Sequence, residues 1–328
     1  MSTFVLLIKV LPAILRMKQF LTLILLLIPI ITCSQNNDFS EVDNYVDSLK
    51  VDKDISISDL TKKLTMPFSS DLLKVRALFF WLATNIEYDY KDNETRLWTN
   101  YASVKEKLND TYKFRKGVCS GYSHLFKYML RLSGIRSIVI SGYARNELKN
   151  CFPQNPNHAW NSVKIENKWY LFDVTWARDT LKKINDFWFK TDPDIFILNH
   201  YPLYEPYTFT KKQYSFEDFC QFPIYTSSFY DLKFTNDISK TGHFNAVNDT
   251  VTINIKPNFK CLLLTKLYDI HNMKLIPAQP GGFLSGADYF KLYIPKKGDF
   301  VLKLGALIQD DNSFVIYDEL IFYTIENK

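Results

Sequence analysis

Apolar residues recur every three or four positions through residues 71–86 (Leu72, Val75, Leu78, Phe79, Leu82), and this spacing predicts a helix. Ser69 or Ser70 is placed to cap it. A second helical run covers residues 120–132, with Tyr122, Leu125, Phe126, Met129 and Leu130 on one face and Gly134 closing it. Weaker patterns predict one or two short helices in 38–64 and another in 102–108, while 87–97 is polar and loop-like. The period then changes. A β-branched run at 135–140 continues to Tyr143. After the Pro/Asn-rich stretch 152–157, residues 158–165 and 169–174 read as a hairpin. Helices followed by antiparallel strands define an α+β unit. Beyond residue 212 the chain is rich in Phe, Tyr, Ile and Thr. Period-two runs at 250–255 and 300–304 alternate with turn signals such as Asn248-Asp249 and Lys297-Gly298. This predicts a separate β-sandwich-like domain of about seven short strands over 213–328.

The first residues have another character. Met17-Lys18-Gln19 is a basic start, 20–31 is an apolar run, and Thr32-Cys33-Ser34-Gln35 turns small and polar. That is the plan of an export signal, and with Pro29 inside it the run is too short for a comfortable membrane span. Residues 1–34 are therefore expected to be a signal peptide or a lipoprotein signal. Lipid attachment at Cys33 and free secretion both stay open. The whole chain of 328 residues is 47% hydrophobic and 16% aromatic, enough for a core without staples. Once Lys9, Arg16 and Lys18 are set aside with the signal, 37 basic residues face 35 acidic ones. That balance argues against a nucleic-acid partner and leaves a lipid at Cys33 as the expected link to a membrane.

Export implies an oxidising compartment. Cys119, Cys151, Cys220 and Cys261 remain after the signal; Cys220 and Cys261 are candidates to pair, which spacing alone does not decide. No Cys/His spacing suggests a metal, so no metal or cofactor is expected. His124, His200, His243 and His271 read as surface or core histidines.

Chemistry concentrates in three places. Cys119 opens the second helix within Gly117-Val118-Cys119-Ser120-Gly121-Tyr122. His158 begins one strand, within Asn157-His158-Ala159-Trp160-Asn161, and Asp173 ends the next, within Trp169-Tyr170-Leu171-Phe172-Asp173-Val174-Thr175-Trp176. A thiol attacks a carbonyl as the thiolate. A helix N-terminus favours that form, and an imidazole takes the proton and later returns it. A carboxylate holds the imidazole in the right tautomer. Gly117 and Gly121 would let a substrate backbone approach and leave N–H groups free as oxyanion donors. Tyr122, Trp160 and Trp176 are read either as walls of a substrate groove or as core. The register supplies a test. A two-residue turn at Glu166-Asn167 puts His158 and Asp173 on one face, whereas a three-residue turn separates them.

At these three segments the chain resembles the transglutaminase-like superfamily of papain-type folds. The stretch Leu78-Phe79-Phe80-Trp81-Leu82-Ala83-Thr84-Asn85-Ile86-Glu87-Tyr88-Asp89 is similar to that family's N-terminal helix and its exit. The segment 187–202, ending His200-Tyr201-Pro202, resembles the post-core segment of kyphoscoliosis-peptidase-type members. The resemblance covers about residues 70–205. It implies a core of helices packed on an antiparallel sheet over 35–212, with Cys119, His158 and Asp173 as a triad. It also implies that His200 belongs to a motif, read here as structural. Nothing matches the calcium sites of the cross-linking members. The expected function is an exported cysteine hydrolase acting on a peptide or other amide, in a peptide or protein substrate, or transferring its acyl group. The alternative is a catalytically silent cell-envelope binding or scaffolding module.

Overall fold

The computed structural model describes residues 38–52, 54–91, 103–146, 155–178, 184–232, 240–255, 257, 259, 261–277, 289–310 and 313–328. Residues 1–34, expected to be a targeting segment and including Cys33, lie outside these residues, as do Cys151, residues 92–97 of the polar stretch and residues 152–154 of the Pro/Asn-rich stretch. Residues 42–328 form one compact unit.

Helices α1 (Ser40–Ser48), α2 (Ile57–Thr65) and α3 (Asp71–Asn85) come first. Ser70 caps α3 by accepting the Leu73 N–H at 3.2 Å. Val75, Ala77, Leu78, Phe79, Trp81, Leu82 and Ala83 are all buried, so α3 is covered on more than one face. Arg76 is buried too, and its guanidinium grips Asp43 through Nε (2.7 Å) and Nη2 (2.5 Å) and reaches Asp186. Strand β1 (Glu87–Tyr88) pairs in parallel with β2 (Lys116–Gly117). Between them α4 (Val104–Phe114) runs beyond the short helix expected there. Leu108, Thr111 and Tyr112 continue its buried face past the polar pair Asn109-Asp110.

Helix α5 (Cys119–Leu132) buries the face expected from the sequence, and Gly134 closes it at φ +78°. It packs against β3 (Ser137–Ala144) and β4 (His158–Ile165), two of four antiparallel strands in the order β5-β4-β3-β6, with β5 Lys168–Phe172 and β6 His200–Pro202. In the hairpin, Ile165 pairs with Lys168 and Asn161 with Phe172. The turn has the two residues Glu166 and Asn167, at φ 48° and 67°. Two positive φ angles are what a type I′ turn requires, and its twist matches the strands. The strand ends one residue before Asp173, not at Val174 as expected.

The C-terminal part holds eight strands among the described residues. Six form one sheet, in the order β11-β10-β13-β14-β7 with β8 also beside β14. Here β7 is Ile224–Tyr225, β8 His243–Asn245, β10 Cys261–Asp269 and β11 Leu275–Ile276. The other two, β9 (Thr250–Asn254) and β12 (Tyr289–Tyr293), form a separate pair. Val251, Ile253, Phe290 and Leu292 from the pair share one core cluster with Leu263, Leu267, Phe300 and Leu302 from the large sheet, a sandwich-like arrangement. The strands are not all short: β13 (Gly298–Asp310) has 13 residues and β14 (Ser313–Asn327) has 15. The same cluster takes in Ile197, Leu198 and Tyr201, so apolar contacts cross the boundary expected near residue 212. Cys220 is disulfide-bonded and Cys261 is a free thiol, so these two do not pair.

Candidate active site

Cys119 is the first residue of α5 and carries a half-buried free thiol. Val118 caps the helix in extended conformation without a side-chain hydrogen bond. Gly117 and Gly121 have a structural role at this point. A Cβ on either would strike the Thr111 side chain, so both let α4 lie close against the start of α5.

His158 opens β4 and is buried. Asp173 follows β5 as the cap of a one-turn helix α6 (Val174–Ala177). Its Oδ1 accepts the N–H groups of Thr175 (2.9 Å) and Trp176 (3.0 Å). This double cap is why the strand stops at Phe172. Its Oδ2 stands 2.7 Å from His158 Nε2 and 3.0 Å from His200 Nε2. A carboxylate only accepts, so both nitrogens carry protons. Cys119 is near enough to His158 to help raise its imidazole pKa, and with Nε2 committed to Asp173, Nδ1 is the nitrogen left open.

The electrostatics follow from this geometry. Burial pushes the His158 imidazole down, but the adjacent Asp173 charge and hydrogen bond outweigh it, and the net shift is upward. Burial pushes the Asp173 carboxyl up, and the charge of His158 with the hydrogen bonds of both imidazoles reverses this, holding it well below the ordinary carboxylate range. For His200 burial wins. Its imidazole is pushed down to about 4 and is neutral at physiological pH. Sequence reasoning missed this contact, although the His-Tyr-Pro motif marked the residue. His200 lies between Phe196 (ring centroids 4.1 Å apart), Trp176 (4.4 Å), Trp160 (5.0 Å) and Trp188 (5.2 Å). His158, Asp173 and His200 place three donor atoms within 4.8 Å of one another, the composition of a cation site. The two Nε2–H bonds to Oδ2 already account for that closeness.

A cavity of about 480 Å³ opens beside His158, walled by Tyr88, Trp176 and Trp188 among others. Of the aromatics read from the sequence, Trp176 lines it. Trp160 is 1% exposed and Tyr122 0%, and the Tyr122 hydroxyl donates to the Ile86 carbonyl at 2.5 Å, so both are core residues instead. Tyr88 was not singled out; its signal was the Ile86-Glu87-Tyr88-Asp89 exit of α3. Burial, with Cys119 close by, pushes its phenol well up, so it stays protonated.

A helix-start cysteine set against a strand-borne histidine and a capping aspartate, on an antiparallel sheet, defines a papain-type α+β core of the transglutaminase-like kind. Residues 58–174 match the transglutaminase-like superfamily. The chain is similar to kyphoscoliosis peptidase of Mus musculus, 26% identical over 281 residues, or 82% of this chain and 40% of that protein. It is equally similar to kyphoscoliosis peptidase of Homo sapiens, 26% identical over 299 residues, or 88% and 43%. Hillarin of Drosophila melanogaster is 23% identical over 228 residues, or 61% and 26%. These matches support the transglutaminase-like superfamily and, within it, the kyphoscoliosis-peptidase branch. The chain spans about two fifths of the length of the mouse and human proteins.

Proposed function

We propose that this chain is an exported thiol hydrolase that cleaves a peptide or other amide. The observation that carries the reading is the His158 imidazole, held by Asp173 on one nitrogen, raised in pKa in part by the nearby Cys119, and bordering an open cavity. Cys119 gives its proton to His158 Nδ1 and the sulfur attacks the amide carbonyl. His158 returns the proton to the leaving nitrogen as the C–N bond breaks. The resulting thioester is cleaved by water to a carboxylic acid and the free thiol. An amine in place of water makes the same site a transferase. The first-turn N–H groups of α5 are suited to steady the oxyanion. The names of the mouse and human relatives, as peptidases, agree with this reading. Export rests on the N-terminal pattern, with Cys33 either lipidated or left behind at a cleaved signal, and the disulfide at Cys220 fits an oxidising compartment. No helix among the described residues is long and apolar enough to cross a membrane.

The test is iodoacetamide labelling of Cys119 against pH, in the mature protein and in His158→Ala. Fast labelling below pH 7 that collapses in the variant is expected, and a screen of peptides and amides then follows. Labelling like that of an ordinary thiol, which ionises near 8.5, and unchanged in the variant, would overturn the hydrolase reading and leave a binding module.

A further inference from the structure

We infer that His200 is a positioning residue of this site: by donating Nε2–H to Asp173 Oδ2, it keeps the carboxylate turned toward His158. The inference rests on the hydrolase reading above and goes beyond it, since His200 is not itself among the residues that line the cavity.

The geometry starts from the strands. In the central sheet β3 pairs with β4 on one side and β6 on the other. Gly142 faces His158 across one ladder and Pro202 across the other, while Ala144 faces His200. The two histidines are thus fixed to one strand from opposite sides, and both rings reach the same oxygen. The backbone at His200 is further tied down, because Arg145 N–H donates to the Asn199 carbonyl at 2.9 Å and Asn199 Nδ2 donates to the Arg145 carbonyl at 2.9 Å. The rings of Phe196, Trp160, Trp176 and Trp188 then fix the plane of the imidazole.

Packing alone does not explain a histidine here. Its Nδ1 is buried with no hydrogen-bond partner, a standing loss that a phenylalanine in the same aromatic cage would avoid. What the imidazole adds over a phenyl ring is one N–H, and that N–H goes to Asp173. The carboxylate already has the N–H groups of Thr175 and Trp176 on Oδ1 and His158 on Oδ2. The fourth bond therefore does less to satisfy a buried charge than to stop the Oδ2 side from moving when His158 gains and loses its proton. Such a residue must remain a neutral donor throughout, and burial keeps this imidazole uncharged; Asp173 and His158 are the ionisable groups acting on it.

The experiment compares wild type, His200→Gln, which keeps a neutral N–H donor of similar reach, and His200→Phe, which keeps shape and loses the donor. Each is carried on the mature chain, with folding followed by near-ultraviolet circular dichroism. The readout is Cys119 labelling by iodoacetamide from pH 5 to 9. The Phe variant should label about tenfold more slowly than wild type at pH 6.5 and equally at pH 9, where any thiol ionises, and the Gln variant should stay within about threefold throughout. A folded Phe variant whose profile overlays wild type overturns the inference. So does a Gln variant as slow as the Phe variant, because ring shape and not the donor would then matter. If the Phe variant does not fold, His200→Asn, whose amide is too short to reach Oδ2, replaces it with the same two readings. Wild-type labelling like that of an ordinary thiol is a different failure: it removes the hydrolase reading itself, and this inference with it.

Discussion

Asp173→Asn tests the logic of the site most directly. The carboxylate accepts four hydrogen bonds, two backbone N–H groups on Oδ1 and two imidazole N–H groups on Oδ2. An amide has one oxygen, so one pair must face an NH2. If the oxygen stays with Thr175 and Trp176, the helix cap survives. The NH2 then meets two Nε2 atoms that must give up their protons, and the His158 proton moves to Nδ1. An imidazole protonated there cannot accept the Cys119 proton. Two charge-assisted bonds become neutral, each weaker by about 1 kcal/mol, so the variant should lose about 2 kcal/mol of stability at pH 7. The sign with pH is fixed by Asp173. Its carboxyl ionises below the ordinary range when folded, so its contribution is complete above about pH 4 and fades as the pH falls further; urea midpoints of wild type and variant should converge at acid pH. The effect on reactivity is larger. A thiol with no activating partner is about one-hundredth ionised at pH 6.5, so labelling of Cys119 should fall by up to about 100-fold there and little at pH 9. Mass spectrometry of the Cys119 peptide after timed iodoacetamide exposure measures it. An Asn variant that labels at the wild-type rate at pH 6.5 would refute the role given to the carboxylate.

Further outcomes follow from the same contacts. Arg76→Met should destabilise the protein by about 3 kcal/mol in urea titration, because it strands Asp43, whose side chain is 20% exposed, while the arm to Asp186, 68% exposed, contributes little; Cys119 labelling should not change. Gly121→Ala should cost about 2 kcal/mol by driving a methyl into Thr111, and Thr111→Ala in the same chain should recover most of it, as a double-mutant cycle would show. His200 ionises near 6.5 in an unfolded chain and at about 4 in the fold, so the unfolded state binds its proton first on acidification. Wild-type stability should therefore drop by about 3 kcal/mol from this group as the pH goes from 7 to 4, and the drop should be absent from His200→Gln; parallel curves would contradict the neutral assignment.

What could be read along the chain, and what could not, divides by the range of the interaction that decides it. The faces of α3 and α5, the cap at Ser70 and the closing Gly134 are set by residues within one or two turns, and they stand where periodicity put them. The hairpin register is equally local. Asn167 tolerates a positive φ, a two-residue turn follows, and every pairing up the ladder is then determined. Long-range contacts left weaker traces. Strand β4 is buried on almost its whole length, so alternation could not tell whether Trp160 faces a groove or the core. Strands β13 and β14 read as shorter pieces because the register shifts at Leu304/Ala306. A Cβ on Gly305 would meet the Tyr317 carbonyl, and the bulge breaks the period-two pattern mid-strand. Gly117 and Gly121 suggested room for a substrate because the sequence does not announce Thr111 as their neighbour.

Asp173 is where the two ranges meet, and that explains why the site was half legible. One oxygen obeys a local rule, capping α6, and that rule ends the strand and fixes the carboxylate in space. The other obeys no local rule. It takes one imidazole 15 residues back, along a hairpin whose register could be worked out, and one 27 residues ahead, beyond a run of short turns with no period to follow. The first histidine was therefore predictable as a partner and the second was visible only as a motif. A buried carboxylate that also caps a helix cannot swing away when His158 changes charge, because moving it would uncover two backbone N–H groups. The fold thus couples secondary structure to the orientation of the imidazole. On that basis, a substitution that weakens the cap of α6 while keeping Asp173 and the Trp176 indole, such as Thr175→Pro, which deletes one of the two capped N–H groups, should slow Cys119 labelling at pH 6.5 while leaving the hairpin register unchanged by amide exchange. Unaltered labelling in a folded Thr175→Pro protein would show that the cap and the imidazole are independent.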